Sequence, residues 1–101
     1  TIRVNQIDTE MLWDSGASVT VMAKNLWKRI GSPTLQQSQL MLCGVFSTSG
    51  EQPIGSLTIP VTWSQKTREI MIIIVKDIKP EFIGGVDTME KFGIELREVP
   101  I

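Results

Sequence analysis

The sequence contains no histidine and no tyrosine, and it has a single cysteine, Cys43. Without imidazole there is no serine triad, no cysteine–histidine dyad and no histidine-based zinc site. One thiol excludes an intrachain disulfide and a cysteine zinc cluster. Cys43 lies in an apolar stretch and reads as a small buried hydrophobe. Basic charge is not in surplus: 10 Lys+Arg stand against 11 Asp+Glu, for a net charge of −1. A nucleic-acid partner is therefore not expected, because such proteins neutralise phosphates with a basic excess. Long hydrophobic runs are missing too. The longest, Ile70 to Val75, falls far short of the roughly 20 residues that span a bilayer, so no membrane partner is expected. There is no phosphate-binding glycine loop of standard spacing. The pair Gly84-Gly85 lacks the Lys-Ser/Thr of a P-loop. No metal-ligand spacing occurs, and neither a metal nor a cofactor is expected.

What is present fits one small folded domain spanning residues 1–101 of the 101-residue chain. Hydrophobic residues make up 42% and charged residues 21%, which is ordinary for a globule. A chain opening at Thr1 instead of methionine is expected to be either an excised piece of a longer protein or a trimmed form.

The apolar spacing is mostly that of strands. Ile2 and Val4 alternate with polar neighbours, Asn5 to Asp8 supply turn chemistry, and Met11 and Trp13 alternate again. Val19 and Val21 begin another strand. Ala23, Leu26, Trp27 and Ile30 follow the i, i+3, i+4, i+7 pattern of a helix, with Gly31 where a C-terminal cap belongs. Leu40 to Phe46 reads as extended, and Ser47 to Gln52 as a polar loop. Leu57, Ile59, Val61 and Trp63 alternate cleanly, and Pro60 places that strand at a sheet edge. These two strands and their loop would form a long hairpin with a mobile tip. After a turn at Ser64 to Thr67, Ile70 to Val75 reads as a strand covered on both faces. Phe82-Ile83 is a short strand. Asp87 and Glu90 have capping-box spacing for a helix ending at Gly93. Ile94 to Ile101 would close the chain as a strand.

With imidazole absent, carboxylate chemistry is what remains, and one site stands out. Asp14-Ser15-Gly16-Ala17 follows directly on the apolar Met11-Leu12-Trp13. Asp14 is a carboxylate at the end of a strand, Ser15 can fix the loop by hydrogen bonding, and Gly16 lets backbone approach closely. Alone, the tripeptide Asp-Ser-Gly is more commonly an Asx turn joining two strands. Its context adds information. The trailing Ala17-Ser18-Val19-Thr20-Val21, the hairpin with a glycine-bearing tip and the late Phe82-Ile83-Gly84-Gly85-Val86-Asp87 follow in order.

This series resembles the retropepsins, the small aspartic proteases of retroviruses and retrotransposons, over nearly the whole chain. The resemblance implies a mostly β, closed-barrel-like fold with one or two short helices, assembled as a homodimer. It implies that Asp14 is catalytic and that Ser15, Gly16 and Ala17 form the active-site loop, with the Ser15 hydroxyl bracing the two subunits. Ser18 would line the cleft. Ser47, Thr48, Ser49 and Gly50 would form the flap over the substrate. Pro80, Phe82 and Ile83 would wall the side-chain pockets, and Gly85 would pack behind the loop. Thr1 to Val4 and Arg97 to Ile101 would build the dimer interface. The implied substrate is an extended peptide, naturally a retroelement polyprotein cut in the cytoplasm or within virus-like particles.

Four positions depart from the viral pattern. Ser18 stands where an aspartate is common, and Val86 where its arginine partner is common, so neither leaves a stranded buried charge. This joint loss resembles the retrotransposon or endogenous-element type. Gly84 replaces a branched aliphatic residue, an expected loosening of local packing. Ser15 replaces threonine, keeping the hydroxyl and losing a methyl. Three other readings stay open at this level. They are a catalytically inactive dimerisation or peptide-binding domain of the same fold, a host retropepsin-like domain within a regulatory protein, and an unrelated small β-domain.

Overall fold

The computed structural model describes residues 1–36 and 53–94. Among these residues, seven strands make one curled sheet flanked by two short helices. The strands are β1 (Ile2–Val4), β2 (Ile7–Thr9), β3 (Leu12–Trp13), β4 (Thr20–Ala23), β5 (Pro53–Trp63), β6 (Lys66–Val75) and β7 (Phe82–Gly84). The helices are α1 (Lys24–Arg29) and α2 (Val86–Lys91). The mostly β class with two short helices agrees with the sequence pattern. The sheet order is β2-β1-β5-β6-β4-β7-β3.

Two hairpins turn on residue pairs with left-handed backbone, Asn5-Gln6 (φ 50° and 69°) and Ser64-Gln65 (φ 52° and 66°). Such two-residue turns match the right-handed twist of the flanking strands. The first is tighter than its sequence suggests. Asn5 to Asp8 was expected to be turn throughout, yet Ile7 and Asp8 already belong to β2, where Arg3 faces Asp8 across the ladder. There the Arg3 guanidinium holds the Asp8 carboxyl below its ordinary range, first by a 2.8 Å hydrogen bond and then by charge. Both groups are exposed, so the pair contributes little to stability.

Strand β5 corrects a second expectation. It is an interior strand, between β1 and β6. Pro60 is tolerated because β1 pairs only with Val61 and Thr62 and then turns away at Asn5. The missing N–H of Pro60 therefore falls where β5 has no neighbour on that side. The observed long hairpin is β5–β6, paired from Pro53–Val75 to Trp63–Lys66. The expected strand Leu40 to Phe46, Cys43, and the loop Ser47 to Gln52 lie outside the described residues, as does the chain beyond Ile94.

Strand β1 pairs with β2 along Ile2–Val4 and with β5 at Arg3 and Val4, and Ile2 and Val4 are buried. Arg97 to Ile101 lie outside the described residues.

The core is built from Ile2, Val4, Met22, Leu26, Ile30, Val61, Ile70, Ile72, Ile74, Phe82 and Phe92, among others. A smaller cluster of Val21, Ile73 and Val75 occupies the opposite face of the sheet. Hence Ile72 to Val75 are buried in succession, as the unbroken apolar run implied, while Met71 is partly exposed. Both helices end the same way. Gly31 (φ 107°) and Gly93 (φ 77°) take left-handed backbone, and paired bonds close each end: Gly31 N–H to Lys28 O and Ser32 N–H to Trp27 O, Gly93 N–H to Glu90 O and Ile94 N–H to Met89 O. The start of α2 differs from expectation. Its N-cap is Gly85, not Asp87, because the Asp87 carboxylate is engaged by Thr20.

Candidate active site

Strands β3 and β4 are consecutive in sequence but do not pair. Strand β7, from the far end of the chain, lies between them, parallel to β3 and antiparallel to β4. Residues 14–19 must therefore cross over the end of β7 to connect its two neighbours. Asp14 sits at the start of that crossing. Its N–H donates to Gly84 O at 2.9 Å, extending the β3–β7 ladder by one bond. Its carbonyl accepts Ala17 N–H at 3.1 Å, which folds the loop into a turn. Its carboxylate Oδ1 accepts Gly16 N–H at 2.9 Å. Asp14 is half-buried, and it is fixed at three points by backbone.

The crossing is clamped from below. Val86 N–H donates to Ala17 O at 2.8 Å, and Gly85 N–H donates to Thr20 Oγ1 at 3.2 Å. Gly85 is close enough that a Cβ would stand 2.4 Å from Val19 O and 2.7 Å from Ala17 O. Only glycine fits there.

Thr20, which no sequence motif marks as functional, is the hub of this clamp. It is fully buried. A hydroxyl has one proton and two lone-pair directions. The Thr20 proton goes to Asp87 Oδ1 at 2.8 Å, so the hydroxyl accepts from Gly85 N–H and from the Thr88 hydroxyl. All three valences are used. The signal was available in the alternation: Thr20 shares the core-facing parity of Met22, and a polar residue at that parity needs partners. Thr20→Val keeps the shape and removes every bond. We expect it to lower the unfolding free energy by about 2–4 kcal/mol, with Thr20→Ser recovering most of the loss, in urea denaturation at fixed protein concentration.

The remaining candidate residues separate clearly. Ser15 and Ala17 are half-buried and Gly16 and Ser18 exposed on the same loop. Pro80 is exposed and Ile83 half-buried. Phe82 does not belong with them. It is 1% exposed within the main core, because alternation along β7 turns it away from Ile83. It is a core residue and not a pocket wall. Leu12, the register partner of Ile83, is 50% exposed and was not anticipated. Ser47, Thr48, Ser49 and Gly50 lie outside the described residues. Gly84 is not loosely packed: Met11 and Trp13 close over it. Trp13 in turn meets Trp63 and Phe92 edge-on, at centroid distances of 5.3 and 6.4 Å. Among the described residues no group of acidic, cysteine or histidine side chains forms a metal site.

The family model for the retroviral aspartyl protease matches residues 1–97. The chain belongs to that family. No curated protein sequence matches it. Among solved structures, the retroviral protease-like domain of Ddi1 from Leishmania major superposes with a TM-score of 0.76 at 21% identity, over 95% of this chain and 78% of that one. The EIAV protease bound to an inhibitor gives 0.66 at 16% identity, over 94% and 86%. A retropepsin-like aspartic protease from Rickettsia conorii gives 0.64 at 17%, over 89% and 66%. These likenesses establish that the curled sheet and its crossing loop are the retropepsin fold.

Proposed function

We propose that this retropepsin-family chain is half of an aspartic endopeptidase, completed when a second copy brings its own Asp14 to the first. The observation that carries the reading is the isolation of one usable carboxylate. Among the described acidic residues, Asp8, Glu10, Glu69, Asp77 and Glu90 are exposed. Glu81 is paired with Arg29, and Asp87 is bonded to Thr20. Asp14 alone sits half-buried on a backbone-braced loop. Peptide hydrolysis by carboxylates needs two, one ionised and one protonated. A two-fold axis through the loop supplies the second.

In the paired site the ionised carboxylate takes a proton from water as the oxygen attacks the peptide carbonyl. The protonated partner donates to the carbonyl oxygen, giving a tetrahedral diol. Proton return to the peptide nitrogen then breaks the C–N bond.

The substrate is an extended peptide bound as a strand, with main-chain bonds giving affinity and side-chain pockets giving choice. Leu12 and Ile83, paired in register beside Asp14, supply apolar surface for hydrophobic side chains next to the cut bond. We take the natural substrate to be the polyprotein that contains the domain, processed in the cytoplasm or in virus-like particles. A second reading keeps the chemistry and changes the setting, to a host domain of a regulatory protein. The likeness to the Leishmania Ddi1 domain favours it, and the coding sequence on either side of the domain decides between the two.

Dilution tests the shared site. Below the dimer dissociation constant, a tenfold dilution should lower hydrolysis per chain about tenfold, with sedimentation reporting the dimer fraction. Undiminished hydrolysis per chain in a preparation that sediments as monomer would overturn the proposal.

A further inference from the structure

We propose that Met11 is a positioning residue for Asp14: its thioether occupies the space that a side chain at Gly84 would fill, and this shared volume sets where the catalytic loop rests. The inference takes the catalytic role of Asp14 from the preceding reading and adds a residue that acts through it.

Gly84 is the ledge under Asp14. It is buried at the end of β7, it is the register partner of Trp13, and its carbonyl accepts the Asp14 N–H at 2.9 Å. Its empty face is closed by Met11. A Cβ on Gly84 would lie 2.6 Å from Met11 Cε, 2.8 Å from Met11 Sδ and 3.3 Å from Trp13 Cε3. The end of the Met11 side chain therefore stands in the volume that a side chain at position 84 would take. Met11 stands directly before β3, and its side chain and that of Trp13 both close on the Gly84 face, while Leu12 between them is half exposed. Trp13 is itself wedged by Trp63 and Phe92. That side is stiff, whereas Met11 is unbranched and conforms to an irregular gap. The height of the ledge is thus set by how much volume residues 11 and 84 supply between them. A shift of the ledge is passed to Asp14 through a single backbone hydrogen bond, and carboxylate catalysis is sensitive to misplacement on that scale.

The test is to move the volume from residue 11 to residue 84. Met11→Ala empties the space. We expect kcat to fall about tenfold while KM stays within about twofold, and the Asp14 amide to exchange faster with solvent. Met11→Leu, of similar volume, should recover most of that rate. Gly84→Val alone drives its methyls into Met11 and Trp13 and should also lower kcat. Combining Met11→Ala with Gly84→Val returns the volume from β7. The double variant should recover to within about threefold of the parent protein and regain Asp14 amide protection. Losses that simply add in the double variant, or unchanged kcat and amide exchange in Met11→Ala, overturn the proposal. If the parent protein cleaves no peptide, it is the endopeptidase reading that fails. The amide-exchange comparison across the four proteins then still decides the packing claim.

Discussion

Replacing Asp14 with Asn should lower peptide hydrolysis by about 1,000-fold or more while leaving the fold and the dimer in place. The loss follows from the chemistry. An amide neither takes a proton from water nor donates one as an acid, so both roles of the dyad vanish together. Retention of the fold follows from the geometry. Two of the three bonds that hold residue 14 are made by its backbone, to Gly84 O and from Ala17 N–H. The third, Gly16 N–H to Oδ1, needs only an oxygen acceptor, which asparagine supplies in the same place. The proposed dimer should be no weaker than before, because asparagine keeps the size of residue 14 and its oxygen acceptor and adds no charge. Cleavage of an apolar-flanked peptide, read together with sedimentation and thermal unfolding of the same preparation, checks all three statements. Hydrolysis within tenfold of the parent in a folded, dimeric Asp14→Asn protein would remove Asp14 from the mechanism.

The parts of this molecule legible in the sequence are those specified by neighbouring residues. Leu26, Trp27 and Ile30 announce α1, and Gly31 ends it. Asp14-Ser15-Gly16 after an apolar strand announces a loop that holds its carboxylate. Where the structure departed from expectation, the deciding contact came from a distant part of the chain. Strand β2 carries no apolar alternation to betray it, since Ile7 and Asp8 are exposed and its register comes from β1. Pro60 reads as an edge marker, but its tolerance depends on where β1 stops. Asp87 has the spacing of a cap, yet its carboxylate is taken by Thr20, 67 residues earlier. Phe82 and Ile83 look alike in sequence, and only the placement of β7 between β3 and β4 sends one to the core and leaves the other half-buried. The crossing topology, with its two parallel pairings β3–β7 and β4–β6, is not written in any local pattern.

That crossing also locates the position least able to change. Gly85→Ala should be the most damaging single methyl in the described protein. Its Cβ would meet Val19 O at 2.4 Å, Val19 C at 2.6 Å and Ala17 O at 2.7 Å, all of them backbone atoms. The contrast with Gly84 is instructive, because there the obstacle is the flexible end of Met11, which can swing aside. Backbone cannot. Relief requires residues 17–19 to lift off β7, and lifting breaks Val86 N–H to Ala17 O and Gly85 N–H to the buried Thr20 hydroxyl. Overpacking costs about 1–3 kcal/mol, and each buried bond left open adds about 1–3 kcal/mol. The total, about 3–6 kcal/mol, is comparable to the whole stability of a small domain, which is about 5–15 kcal/mol. We expect Tm to fall by more than about 15 °C, or cooperative unfolding to disappear, at a fixed protein concentration. Gly93→Ala separates this effect from glycine chemistry in general. A Cβ there meets nothing within 4 Å, and only the left-handed φ of 77° is strained, at a cost of about 1–2 kcal/mol. If the two substitutions proved equally damaging, the close approach of the crossing loop to β7 would not be what holds Asp14 in place.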